Sequence, residues 1–247
     1  MAKSAIPRSA TVAQALLQRI TSEELPAGSM LPTERELQET YNVSRPVVRE
    51  AIKGLAARGL VSIKAGQGVV VGGDLTTPAA EALLLAFHRA QVRTEDMLST
   101  RLLLEPNIAP LAAVNASPLE IRRLQRYAET MEATTFVDGI TPDKATLWAI
   151  TDSRFHVLLA QASQNPVLAV LIEVIVGILW RQRQTVNQHV TEELRAGASR
   201  QHTAIAEAVA ARDAERARQA MLEHLESTSA NFGSLTVGLS ALVDTLA

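Results

Sequence analysis

The chain has 247 residues, 47% of them apolar but only 3% aromatic, so a core must be built from Ala, Leu, Val and Ile, which favours helices and excludes an all-β sandwich. There is no cysteine, which removes disulfides, thiolate zinc sites and a cysteine nucleophile, and leaves His and carboxylates as the strong metal ligands. The net charge of -2 is unevenly spread: residues 1–74 carry 9 basic against 7 acidic side chains, residues 75–247 carry 15 against 19, and residues 43–68 alone reach +4. A local basic patch on a near-neutral protein is the pattern expected where one element must meet phosphates.

After a flexible polar tail over residues 1–10, Val12, Ala15, Leu16 and Ile20 recur at helical spacing between Thr11 and Glu24, and Pro26-Ala27-Gly28 then breaks the chain. Thr33 stands three residues before Glu36, a capping-box pattern that starts a short helix ending near Tyr41. Ser44 is placed to cap a third helix with Pro46 in its first turn, and Val47, Val48, Ile52 and Leu55 form its buried side until Gly59 stops it. Two β-branched runs, 60–64 and 69–71, flank Ala65-Gly66-Gln67-Gly68, whose glycines suit the tight turn of a hairpin.

Three short helices and a hairpin give a winged helix-turn-helix over residues 11–73, with its third helix entering the major groove of double-stranded DNA. Arg45 and Arg49, four apart, project from one face of that helix, and their planar forks suit the two acceptors of guanine. Lys53, one turn on, is placed for phosphate; Arg35 and Ser44 have the chemistry for backbone oxygens, and the wing tip around Gly66 is slim enough to approach a groove. The runs Leu31-Pro32-Thr33-Glu34-Arg35-Glu36-Leu37, Val43 to Ala51, Leu55 to Val61 and Gly66-x-Gly68 resemble the DNA-binding domain of GntR-family bacterial transcription regulators. The resemblance implies that Arg35, Ser44, Arg45, Arg49 and Gly66 contact a short pseudo-palindromic operator as part of a homodimer.

Beyond a boundary at Gly72-Gly73-Asp74 the chain reads as successive amphipathic helices over residues 79–89, 94–114, 118–133, 143–161, 166–189, 192–211 and 214–232. The fold class is therefore mainly α, a winged helix-turn-helix followed by a helical bundle over residues 79–233, with a C-terminal segment, 234–247, of unassigned role. Asp152 and His156 leave one face of one helix, and His202 and His224 each head a helical segment of their own. One carboxylate and three imidazoles are donors suited to zinc, nickel, manganese or iron.

Arg101 to Glu105, Asp152-x3-His156 followed by Ala162 to Pro166, His202-x-x-Ile205, and Ala210 to Glu215 with His224 beyond it resemble the FCD-type ligand-binding domain of the FadR subfamily. That resemblance implies a divalent cation held by Asp152, His156, His202 and His224 beneath an effector pocket, and of the metals these donors suit, zinc is the one expected. It also implies that Arg101 pairs with an anionic effector and that Glu105 braces it, where the bare Arg-x3-Glu spacing fits a surface ion pair equally.

The function expected is a repressor released by a small carboxylate. The alternatives are a regulator for which the cation is itself the signal, and a metal-dependent hydrolase, against which stands the lack of a His-Glu-x-x-His motif or a second acid placed as general base. The most apolar stretch, residues 167–180, carries Glu173 and is too short to cross a bilayer, and the N-terminus has no apolar signal core, so the expectation is a cytoplasmic protein with no membrane partner.

Overall fold

The computed structural model describes residues 7–72, 76–136, 141–186 and 191–232. The chain forms two compact units, residues 1–79 and 80–247. Most of the expected N-terminal tail and the whole of the expected C-terminal segment, 234–247, lie outside the described residues.

In the first unit, helix α1 (Arg8–Thr21) begins three residues earlier than the apolar spacing predicts, with Pro7 at its N-cap. Helix α2 (Glu34–Tyr41) starts at the expected capping box: the Thr33 hydroxyl accepts from the Glu36 amide, and the Glu36 carboxylate accepts from the Thr33 amide at 2.8 Å. Asn42, left-handed at φ 48°, ends α2 and turns the chain into α3 (Arg45–Ala56). Ser44 occupies the cap position of α3, but its side chain makes no capping hydrogen bond, which corrects the cap expected of its hydroxyl. Val12 and Leu16 of α1, Leu37 of α2 and Val48, Ile52 and Leu55 of α3 meet Val61 and Val71 in one apolar core. Burying each such side chain is worth about 1.5–3 kcal/mol.

Strands β1 (Val61–Lys64) and β2 (Gly68–Val71) pair antiparallel, Val61 opposite Val71 and Lys64 opposite Gly68. The sheet has a further edge that the apolar runs do not reveal: Met30 bridges Val70, the Leu31 amide donates to the Val69 carbonyl at 2.7 Å, and the Val71 amide donates to the Ser29 carbonyl at 2.8 Å. This edge ties the segment before α2 to the wing, so α2, α3 and hairpin are fixed to one another.

Helix α4 (Thr76–Arg89) runs across the division at residue 80, and the second unit contains, among the described residues, the rest of α4 with α5 (Thr94–Asn115), α6 (Pro118–Phe136), α7 (Pro142–Ala162), α8 (Pro166–Val186), α9 (Glu192–Ala210) and α10 (Ala214–Phe232). Small side chains, Ala109, Ala112 and Ala113 on α5 and Ala217 on α10, let helices approach closely around Phe155, Leu159, Met131, Ile205 and Met221. Helix α5 lies along α10, α6 packs on α7 and α9, and α7 on α8, so the middle of α7 sits inside the bundle.

Candidate DNA-reading face and metal centre

On the first unit the predicted DNA-facing residues are all solvent-exposed and lie on α2, α3 and the wing. Arg45 donates through Nε to the Glu34 carboxylate at 2.6 Å, and Arg49 Nε stands 3.9 Å from the other oxygen of the same group. Arg35 pairs with Glu39 one turn along α2, at 3.1 Å. Lys53 lies in the last turn of α3. Gly66, exposed and at φ 71°, has nothing within 4 Å of where a Cβ would stand.

The second unit brings Asp152, His156, His202 and His224 together: all four are buried, and one donor atom of each lies within 4.8 Å of the others. Asp152 and His156 sit one turn apart on α7, His202 comes from α9 and His224 from α10. Asp152 Oδ1 lies 3.3 Å from His202 Nε2 and 3.8 Å from His156 Nε2, and the last two nitrogens are 3.3 Å apart. Each imidazole is held from behind through Nδ1: His156 by the Glu105 carboxylate at 2.5 Å, His202 by the Ala198 carbonyl at 2.7 Å, His224 by the Gln201 side-chain oxygen at 3.1 Å.

Carbonyl and carboxylate oxygens only accept, so the Nδ1 atoms carry the protons, which leaves the Nε2 lone pairs of His156 and His202 facing each other. Two lone pairs facing each other at 3.3 Å repel unless a proton or a metal ion stands between them. Donors bonded to one ion at about 2.0–2.1 Å stand about 3.3 Å apart at the tetrahedral angle, the separation of His202 Nε2 from both Asp152 Oδ1 and His156 Nε2, so the cluster could hold a metal ion. Phe155, fully buried, meets the His202 ring edge-on at 4.8 Å and keeps it from turning.

Burial pushes His156 below its ordinary value, against the pull of Glu105, and burial together with the neighbouring rings of His202 and His156 pushes His224 well below it. Both rings are thus neutral near pH 7, as metal ligation requires. Behind them, Arg101 donates to Glu105 at 2.5 Å. Burial would raise the Glu105 carboxyl, but the charge of Arg101 and the contact with His156 hold it down at about 2. At 3% and 1% exposed, Arg101 and Glu105 are no surface pair, which settles the alternative that their spacing left open.

Arg101 Nη2 is buried and finds no hydrogen-bond partner among the described residues. The link from Glu105 to His156 is the piece that sequence reasoning missed: the partners are 51 residues apart, and only the Arg-x3-Glu spacing hinted at a role for the acid. A cavity of about 720 Å³ between α6, α7 and α8 opens on a different face of α7, past Ser153, Arg154 and Trp180, and none of the predicted site residues lines it.

A winged helix-turn-helix joined to an all-α domain with a buried ligand cluster defines a two-domain DNA-binding transcription regulator. Residues 8–71 match the profile of bacterial regulatory proteins of the gntR family, and residues 96–227 match that of the FCD domain. The chain is 31% identical to "HTH-type transcriptional repressor NanR" of Citrobacter rodentium over 91% of its own length and 85% of that protein. It is 29% identical to the Salmonella typhi protein of the same name over 91% and 84%. The solved structure titled "Streptococcus agalactiae GntR" aligns with a TM-score of 0.68 at 26% identity, over 89% of this chain and 98% of that one. The chain belongs to the GntR family of bacterial regulatory proteins, in the FadR-like subfamily that carries an FCD domain. Members of this family are transcription regulators, not enzymes, and no helix among the described residues is long and apolar enough to cross a membrane.

Proposed function

We propose that the protein is a cytoplasmic, homodimeric repressor that binds a pseudo-palindromic operator and is released when a small carboxylate enters the helical domain beside a divalent cation, with zinc the expected ion. Asp152, His156, His202 and His224 hold the cation, which supplies a positive centre able to take a carboxylate oxygen. Arg101 offers the second anchor through its unpaired Nη2. The observation that carries this reading is the convergence of three imidazoles and one carboxylate in one buried cluster, each imidazole braced from behind. The NanR proteins, named as repressors, support the direction of control.

On the DNA side, Arg45 and Arg49 read base edges, Lys53, Arg35 and Ser44 meet the backbone, and Gly66 brings the wing to the groove. Support for a homodimer comes from adjoining α5 and α8, whose Leu103, Val114, Val167 and Val170 stand 72%, 65%, 66% and 51% exposed. Apolar faces of this kind mark protein–protein contacts.

The test is elemental analysis of purified protein and of the His202→Ala/His224→Ala double variant, alongside operator binding with a panel of small carboxylates. One cation per chain, lost in the variant, and operator release by at least one acid in the wild type only, are the expected results. Full occupancy in the variant places the ligands elsewhere.

A further inference from the structure

We propose that Glu34 is a specificity-determining residue of the DNA-reading face: its carboxylate positions Arg45 and Arg49 for bases and competes with phosphate for both. The claim rests on the assignment of those two arginines to DNA and adds a role for an acid that faces them from another helix.

Glu34 is the first residue of α2, where the helix dipole favours a negative charge. Its two oxygens are divided between the arginines, one at 2.6 Å from Arg45 Nε and the other 3.9 Å from Arg49 Nε. Arg45 and Arg49 are one turn apart on α3, so a single carboxylate spans the pair. The contact also crosses the turn between the two helices, eleven residues apart in sequence, and so references the arginines to α2 rather than to their own helix.

The atoms used decide what the contact does. Arg45 is held by Nε, and its terminal Nη groups make no hydrogen bond among the described residues. A fork fixed at its stem with its tips free is prepared for the two acceptors of a guanine edge. A phosphate gains less. Non-specific affinity comes from cations that neutralise phosphates and release counterions, and a cation already facing a carboxylate contributes less to that release. Glu34 therefore weakens attraction to duplex charge while sparing base reading. Glu39 stands against Arg35 in the same way, but within α2 and at a single arginine 87% exposed, so it screens charge without aligning a pair.

An exposed ion pair adds little to the stability of a fold, so the role is visible in discrimination and not in melting. The experiment selects a tight duplex from a random pool with the full-length wild-type protein. It then measures binding of that duplex and of its scrambled version by fluorescence anisotropy across a salt series, for wild type, Glu34→Gln, Glu39→Gln and Arg49→Ala. Glu34→Gln is expected to raise affinity for the scrambled duplex and to reduce the selected-to-scrambled ratio by about tenfold. Its log–log salt slope on scrambled DNA steepens by about one, the amount one additional phosphate contact supplies. Glu39→Gln is expected to raise both affinities and leave the ratio in place.

Two results overturn the inference: an unchanged ratio in Glu34→Gln, whether or not both affinities shift together, or the same loss of ratio in Glu39→Gln. Arg49→Ala separates this failure from failure of the DNA assignment. If Arg49→Ala keeps the wild-type ratio, α3 is not the reader; if it abolishes the ratio while Glu34→Gln leaves it intact, only the role of Glu34 falls.

Discussion

The His156 ring is oriented by Glu105, which accepts a hydrogen bond from Nδ1–H on one side while Arg101 keeps that carboxylate ionised on the other. Outer partners of this kind are commonly worth 10- to 100-fold in metal affinity. Glu105→Gln preserves the shape but removes the charge, so cation affinity measured by chelator competition should fall within that range; an unchanged affinity would show that the ring is oriented without Glu105. A pH dependence follows from the same cluster. His156 and His224 titrate below the ordinary 6.5 in the folded, metal-free chain and near it when unfolded. As pH falls below about 6.5 the unfolded chain takes up protons that the folded chain refuses, so stability declines with falling pH until the folded values are passed, and then stops declining. Thermal melts of chelator-treated protein between pH 7.5 and 5 should show this loss, and cation loading should add a further dependence of the same sign, since protons compete with the metal.

Among the elements, α2 and α3 were legible because their signals are local. Thr33 and Glu36 are three residues apart, and both halves of the capping box form. Thr33→Ala should cost about 1 kcal/mol, the usual worth of an N-cap, read as a lower melting temperature with no change in the second unit's metal content. The length of α5 was likewise predicted from spacing, although Pro106 and Pro110 lie inside it. What escaped is long-range pairing. A sheet edge made by one bridge residue, Met30, has no alternating pattern to betray it. Arg212, which marks a break in the sequence, reaches across to donate to the Ala113 and Val114 carbonyls at 3.1 and 3.2 Å, where α5 ends. Cations are favoured at that end of a helix, but the sequence does not say which helix. The candidate ligands show the same division: the one-turn spacing of Asp152 and His156 was visible locally, whereas their convergence with His202 and His224 depends on three helices packing.

For the whole molecule, the proposed reading makes DNA, effector and second subunit parts of one equilibrium. Val170→Glu puts a charge on the exposed apolar face of α8 and should shift sedimentation from dimer toward monomer. Operator affinity should fall with it, because two linked half-sites bind more tightly than one. A pure dimer in that variant would place the interface elsewhere. Release by the effector obeys a stricter rule. A ligand moves an equilibrium only by its unequal affinity for the two states, and the coupling is reciprocal. Couplings of about 1–3 kcal/mol change affinity about five- to 150-fold, so whichever factor the carboxylate imposes on operator binding, operator DNA must impose on carboxylate binding. Calorimetry of the acid with free and operator-bound dimer measures one side, and DNA titration with and without acid the other. Equal factors, with operator affinity flat across free-metal concentrations that keep the site filled, support a carboxylate signal. Operator affinity that follows the free metal while no acid changes it identifies the cation as the signal instead.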